Sequence, residues 1–354
     1  MKKAIIAMSG GVDSSVAAYF MKKNGYDCIG VTMKLYDNSD IFVPTEKTCC
    51  SADDVEDARN VANKLNIPYY VFDFKGEFSE KVIDKFVSTY ENGGTPNPCI
   101  DCNRYLKFKK LMDKMNELSF DYVVTGHYAS VEEKDGRFLL KRGKDISKDQ
   151  SYVLYSLTQE QLSHIILPLG EYTKDEIREI AKDNGFVNAH KKDSQDICFV
   201  PDGDYASFIK KRTGKNYPDG SFINVNGEVI GTHSGIINYT VGQRKRLGVA
   251  FGEPMYVCNV NPFDNTVTLG KNENLFTKEL TASDINLITV DRIDGEMRVT
   301  AKVRYKHTEQ PATVTQLDDN TIKVVFDEPQ RAITKGQAVV LYDGDYVVGG
   351  GTIV

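Results

Sequence analysis

Ala4-Ile5-Ile6-Ala7-Met8 runs without a polar residue and stops at Ser9-Gly10-Gly11. It gives way to an amphipathic pattern, Val16-Ala17-Ala18-Tyr19-Phe20-Met21, which Asn24-Gly25 closes. A wholly apolar run of this kind marks a strand covered on both faces, as in a parallel sheet flanked by helices. The turn that follows carries two adjacent glycines and three hydroxyls, Ser9, Ser14 and Ser15. Glycines let a ligand approach the backbone, and a helix start offers unpaired N–H groups at its positive end. Ala7, Met8, Ser9, Gly10, Gly11, Val12, Asp13 and Ser14 thus form a candidate cradle for phosphate or pyrophosphate. The cradle lacks the Lys-Ser/Thr ending of the Walker loop, which disfavours plain phosphoryl transfer. The competing reading is a glycine turn that merely reverses the chain.

The pattern that follows alternates. Strands are expected at Asp27–Met33, Pro68–Asp73 and Phe120–Thr125, and helices at 51–65 and 77–90. Such alternation predicts a doubly wound parallel sheet, in which ligands sit at the carboxyl ends of strands. Met33 ends the second strand, and Gly126 follows the fourth, where a glycine admits a nucleotide ring or ribose. His127 stands beside it, as a ligand contact or a hydrogen-bonded structural histidine. Asp135-Gly136 signals a hairpin, and Thr173-Lys174-Asp175-Glu176 reads as a capping box. Beyond about residue 206 short β-like runs broken by Gly and Asn/Asp take over. Three domains are expected: 1–206, doubly wound α/β; 207–276, small and central; and 277–354, an all-β, barrel-like fold.

A chain of 354 residues with net charge −6 argues against indiscriminate coating of nucleic acid but permits a local basic groove. No apolar run is long enough to span a membrane, and the N-terminus enters a strand with no cleavage-site pattern. Seven cysteines, an odd number scattered through the chain, do not make a secreted disulfide framework. A cytoplasmic enzyme is expected.

Gly93-Gly94-Thr95-Pro96-Asn97-Pro98-Cys99-Ile100-Asp101-Cys102-Asn103 is a loop entering a helix. A cysteine near a helix start is expected to have a depressed pKa. Cys99 and Cys102 alone are ambiguous among a redox couple, half a zinc site, iron–sulfur ligands and chance. Zinc is disfavoured because no second C-x-x-C or Cys/His pair completes four ligands. Cys198 lies between polar Asp193-Ser194-Gln195-Asp196 and apolar Phe199-Val200. Its neighbours favour a reactive thiol over a buried core residue.

The Ser-Gly-Gly-Val-Asp-Ser loop resembles the pyrophosphate loop of the ATP pyrophosphatases, which split ATP into AMP and pyrophosphate. It is followed in order by Thr95-Pro96-Asn97-Pro98 with Cys102-Asn103, Gly126-His127-Tyr128, Lys148-Asp149-Gln150-Ser151-Tyr152, Asp193 to Phe199, and Tyr239-Thr240-Val241-Gly242-Gln243-Arg244. That combination resembles the bacterial tRNA-specific 2-thiouridylases from end to end. The resemblance implies an adenine-nucleotide hydrolase-like N-terminal domain, with ATP bound by residues 7–14, Met33 and Gly126. It implies adenylation of O2 of the wobble uridine, then sulfur transfer from a Cys198 persulfide. Cys102 is the implied partner thiol, with a transient Cys102–Cys198 disulfide, whether it cleaves the S–S bond after the persulfide has attacked C2 or frees hydrosulfide from the persulfide first. Implied tRNA contacts are His127, Lys148, Asp149, Gln150, Arg304, Tyr305 and Gln337. Asn97 is a candidate reader of the base edge. Mg²⁺ is expected with ATP, near Asp13, to neutralise the pyrophosphate. A cysteine desulfurase or sulfur carrier is the implied donor.

Two positions depart from the family pattern. Cys99 stands where many members have Asp, so Cys99, Cys102 and Cys198 are three thiols able in principle to hold a [4Fe–4S] cluster with one iron open. Arg246 stands where glycine is common. Basic candidates for RNA phosphates are Arg104, Lys107, Lys109 and Lys110, then Lys210, Lys211, Arg212 and Lys215, and above all Arg244-Lys245-Arg246. The alternatives are another ATP-pyrophosphatase ligase that uses an amine, and a noncatalytic RNA-binding protein. Cys28, Cys49, Cys50 and Cys258 receive no role.

Overall fold

The computed structural model describes residues 1–42, 52–191, 197–249 and 252–354. Cys49-Cys50 and Asp193-Ser194-Gln195-Asp196 lie outside the described residues. The chain forms two compact units, one of residues 1–82, 99–203 and 345–347, the other of 83–98, 204–344 and 348–354.

In the first unit β1 (Lys3–Ala7) leads into α1 (Val12–Lys23), β2 (Asp27–Lys34), α2 (Ala52–Lys64) and β3 (Tyr69–Asp73). Three further strands and a short one follow: β4 (Tyr122–Val124), the hairpin β5 (Ala129–Lys134) and β6 (Arg137–Arg142), and β7 (Ile165–Ile166). The parallel sheet has the order β3-β2-β1-β4-β7. Ala4 pairs with both Cys28 and Tyr122, so β1 lies at the centre. The chain reverses direction across the sheet between β1 and β4, which makes their carboxyl ends the crevice of the fold. Small residues of α1, Ala17 and Ala18, pack with Ile6, Val124 and Ile177 in one core. The hairpin turns at Asp135 and Gly136, both with positive φ (52° and 76°), as a type I′ turn demands.

Pro98–Asp101, Cys102–Lys110 and Leu111–Glu117 are consecutive helical stretches, the middle one π-wound. Pro98 opens this helix where its missing N–H costs nothing.

The second unit holds β8 (Gly220–Ile223), β9 (Val229–His233), β10 (Tyr256–Asn261) and β11 (Thr266–Gly270) in a four-stranded sheet of order β10-β11-β8-β9. Next come β12 (Phe276–Leu287), β13 (Glu296–Lys302), β14 (Gln310–Asp318), β15 (Thr321–Arg331), β16 (Ala338–Asp343) and β17 (Tyr346–Ile353). These run β12-β15-β14-β13-β16-β17, and Ala282 of β12 pairs with Ile353 of β17, closing a barrel. Its interior is apolar, with Val299, Val314, Val324, Phe326 and Leu341 buried. Closure removes the unpaired strand edges that an open sheet would expose.

Candidate functional site

The Ser9–Ser14 turn sits at the carboxyl end of β1, in the crevice. Gly10 takes φ +73°, and a Cβ there would run into the Asp54 backbone at the start of α2. The turn is stitched internally. Ser9 N–H donates to Ser14 Oγ (3.2 Å), and the Ser14 and Ser15 hydroxyls donate to the Gly11 carbonyl (3.0 and 3.1 Å). Asn188 Nδ2 donates to the Gly10 carbonyl and to Ser15 Oγ, both at 2.9 Å. Gly11, the N-cap of α1, makes no side-chain cap hydrogen bond. The helix Lys174–Asp183, by contrast, begins with a complete Thr173/Glu176 capping box. Helix α1 therefore leaves first-turn N–H groups for an anion. The side chains of Met8 and Val12 are buried in the core, so those positions can serve a ligand only through backbone. Met33 is half-buried near the end of β2.

Gly126 has a use the sequence did not suggest. A Cβ there would sit 2.8 Å from Asp13 C and Ser14 N. The glycine lets the end of β4 press against the first turn of α1.

Asp13 is the most heavily engaged residue of the turn. Tyr128 donates its hydroxyl to Asp13 Oδ1 (2.7 Å), and Lys174 Nζ lies 2.8 Å from both carboxylate oxygens. Asp13 was expected near Mg²⁺. A carboxylate with both oxygens on a buried ammonium does not fit a magnesium ligand. On the other side, Lys191 Nζ bridges Asp54 and Asp57 (2.6 and 2.7 Å). Sequence reasoning missed Lys174, Tyr128, Asn188 and Lys191. One signal was available: Lys174 puts a cation in the first turn of its helix, against the dipole, which asks for an anionic partner.

The thiols differ in setting. Cys99 is exposed, Cys102 buried and Cys198 intermediate, and none of the described cysteines is in a disulfide. Burial pushes the Cys102 thiol up to about 11, against a smaller opposing pull from Lys107. This corrects the expected depression: Cys102 lies beyond the first turn of a helix that begins at Pro98, and desolvation outweighs the dipole. Tyr36, just beyond the carboxyl end of β2, donates its hydroxyl to the Cys198 carbonyl (3.0 Å). Phe199 packs edge-on against Phe78 at 5.6 Å, and Phe78 against Tyr36 at 5.7 Å. Cys198 is thereby anchored at the same edge of the sheet as the Ser9–Ser14 turn. Among the described residues no group of three or more His, Cys, Asp or Glu is placed to hold a metal. Cys99, Cys102 and Cys198 are all described, so the alternative [4Fe–4S] ligand set does not assemble.

The residues expected at tRNA fall into several settings. His127 is buried, its Nδ1 2.7 Å from Thr125 Oγ1, and burial lowers its pKa well below the ordinary 6.5. It is a neutral imidazole at physiological pH and cannot hold phosphate by charge. Asp149 is buried and organises its loop, accepting from Gly143 N–H, Ser151 N–H (both 3.1 Å) and Ser151 Oγ (2.8 Å). Gln150 clasps Tyr128 through two hydrogen bonds, N–H to the Tyr128 carbonyl (2.9 Å) and Oε1 from the Tyr128 N–H (3.0 Å). Lys148 is half-buried.

In the second unit Gln337 Nε2 donates to the Thr95 and Pro96 carbonyls (2.9 and 3.1 Å), setting the approach to half-buried Asn97. Arg304 donates to the Arg331 carbonyl (2.8 Å), beside half-buried Tyr305. Arg244, Lys245 and Arg246 are all exposed, and Arg246 takes φ +60°. That left-handed conformation is one that glycine adopts most readily. Lys110, Arg212 and Lys215 are instead in ion pairs, with Glu77, Asp84 and Glu91.

Three family models match the chain: a "tRNA methyl transferase HUP domain" over residues 2–202, a "tRNA methyl transferase PRC-barrel domain" over 206–271 and an "Aminomethyltransferase beta-barrel domain" over 277–353. A tRNA-specific 2-thiouridylase MnmA of Clostridioides difficile (strain 630) is 55% identical over 99% of this chain and 98% of its own length. One of Clostridium perfringens (strain 13) is 51% identical over the same shares. Among the described residues no helix is long and apolar enough to cross a membrane.

Proposed function

The chain belongs to the tRNA-specific 2-thiouridylase family and is a tRNA-uridine 2-sulfurtransferase, and from that premise we propose how its residues divide the work. The substrate is the wobble uridine of tRNA. Its O2 is a carbonyl oxygen and leaves poorly. ATP transfers AMP to O2 and pyrophosphate departs, so that O2 can later leave on AMP. The open N–H groups of α1 and the stitched Ser9–Ser14 turn support this assignment, since they suit the charge of the pyrophosphate.

Cys198 then carries a persulfide whose outer sulfur attacks C2 of the base. AMP leaves with the oxygen. The Cys102 thiolate attacks Cys198 Sγ, the S–S bond breaks, and sulfur stays on C2. A Cys102–Cys198 disulfide remains, which an external thiol reduces. A cysteine desulfurase or a sulfur carrier reloads Cys198. For RNA, the exposed Arg244–Arg246 triplet supplies phosphate contacts, Tyr305 a stacking face and Asn97 a base-edge reader, with the uridine drawn out of its stack. Asp149, Gln150 and Gln337 act by shaping loops.

The observation that carries the reading is the Tyr36–Cys198 hydrogen bond, which ties the sulfur-bearing segment to the edge where the phosphate loop opens. The test is undermodified tRNA incubated with ATP, magnesium chloride and a desulfurase system, followed by nucleoside mass spectrometry. 2-Thiouridine is expected from the native chain and none from Cys198→Ser. A methylated nucleoside, or thiolation that survives Cys198→Ser, would overturn the proposal.

A further inference from the structure

We infer that Lys174 is the positioning residue of the nucleotide loop: it holds Asp13 as its own counter-ion, so that Asp13 fixes the first turn of α1 and does not ligate magnesium. This rests on the proposed assignment of the loop to ATP.

Lys174 is 5% exposed and sits 161 residues from its partner in sequence. Its ammonium meets both Asp13 oxygens at 2.8 Å, and the Tyr128 hydroxyl meets Oδ1 from another side. Nζ also lies 5.7 Å from the centre of the Tyr128 ring. The backbone of Lys174 is held in turn. Lys174 N–H donates to Asp145 Oδ2 (3.1 Å), the Thr173/Glu176 box caps the same turn, and Glu176 pairs with Lys144 at 3.2 Å. A lysine held in the first turn of its own helix opposes that helix's dipole, so the position is accounted for by the carboxylate it meets. A divalent cation on Asp13 would stand beside this ammonium. Magnesium characteristically keeps to substrate phosphates and its own waters, and ATP brings both. Asp13 lies in the first turn of α1, and Gly126 packs against its backbone. Fixing its side chain therefore fixes the N–H groups that face the anion.

The test compares the native chain with Asp13→Asn, Lys174→Met and the double variant. Binding of a non-hydrolysable ATP analogue is measured by calorimetry across a magnesium chloride series, and each thermal midpoint is recorded. Each single variant is expected to weaken analogue binding about tenfold or more. Asp13→Asn, which leaves a buried ammonium without its partner, is expected to lower Tm by roughly 4–7 °C, and Lys174→Met, which leaves a partly exposed carboxylate, by less. The double variant should recover most of the Tm and none of the affinity. A Lys174→Met chain that folds only alongside Asp13→Asn supports the pairing equally. The half-saturating magnesium should stay within about twofold of native in Asp13→Asn. An Asp13→Asn chain with native Tm and a tenfold higher magnesium requirement overturns the inference, as does a Lys174→Met chain with native affinity. Should the native chain bind no analogue, the assignment of the loop to ATP fails, and the thermal cycle still decides whether Lys174 and Asp13 are a pair.

Discussion

Alkylation of Cys102 by iodoacetamide in the absence of tRNA tests whether its burial controls its chemistry. The thiolate is the nucleophile, and burial disfavours it, moving the pKa from 9.0 to about 11. Two units remove a factor of about 100 in thiolate fraction at pH 7.5. A more basic thiolate is intrinsically more nucleophilic, with a Brønsted slope near 0.45, which returns a factor of about 8. Ionisation alone therefore slows Cys102 roughly tenfold against an ordinary thiol, and restricted access slows it further. The rate should climb about tenfold per pH unit from 7 through 10, where an ordinary thiol has begun to level off. Exposed Cys99 is the internal comparison. The two cysteines share a tryptic peptide, so fragment ions or a Cys99→Ser variant must separate them. Labelling of Cys102 as fast as Cys99 at pH 7.5, or levelling below pH 9, would refute the reasoning. If the rate behaves as derived, Cys102 is inert at rest, and the role proposed for it requires its surroundings to open first.

Three further outcomes follow from particular contacts. Gly126→Ala pushes a methyl to 2.8 Å from the Asp13–Ser14 backbone, an overpacking cost of about 1–3 kcal/mol; calorimetry should find nucleotide affinity down by a factor of ten or more, with a lowered thermal midpoint. His127 is buried with its pKa well below the ordinary 6.5. The unfolded chain therefore binds the proton that the folded one refuses, and stability falls as pH drops below about 6.5, by at most about 1.4 kcal/mol per unit for one proton. Urea titrations at pH 7.5 and 5.0 should show a smaller difference for His127→Gln than for the native chain. Arg246→Gly relieves a left-handed residue, so the thermal midpoint should hold or rise, while tRNA affinity falls and the slope of log K against log salt shrinks by up to about one.

Most of the fold was legible because it rests on local signals. The apolar Ala4–Met8 run, the Asp135-Gly136 turn and the Thr173/Glu176 box each announce their structure within a few residues. The parallel sheet with β1 at its centre and the closed barrel agree with the alternating and then all-β patterns. What could not be read depends on partners far apart in sequence. Nothing around Cys102 says it will be buried; that follows from packing along a helix starting at Pro98. Nothing around Cys99 and Cys198 says whether three thiols converge, and the described structure does not bring them together as ligands. Gly126 is legible as room for a ligand, but not as room for the α1 backbone, which it also is.

The phosphate loop shows why this division falls where it does. The face proposed to take the anion is made of backbone and small side chains, so it is visible as Ser-Gly-Gly-Val-Asp-Ser. Its rigidity comes from Tyr128, Lys174 and Asn188, which arrive from other elements. Tyr128 is itself clasped by Gln150, and Lys174 N–H by Asp145. The loop of residues 143–150, which carries Lys148, Asp149 and Gln150, is therefore joined at two points to the residues that hold Asp13. Substitutions in that loop aimed at RNA contacts should accordingly be read with nucleotide affinity measured alongside. A loss confined to tRNA binding places the residue at the RNA, and a parallel loss of ATP analogue binding places its effect in the support of Asp13.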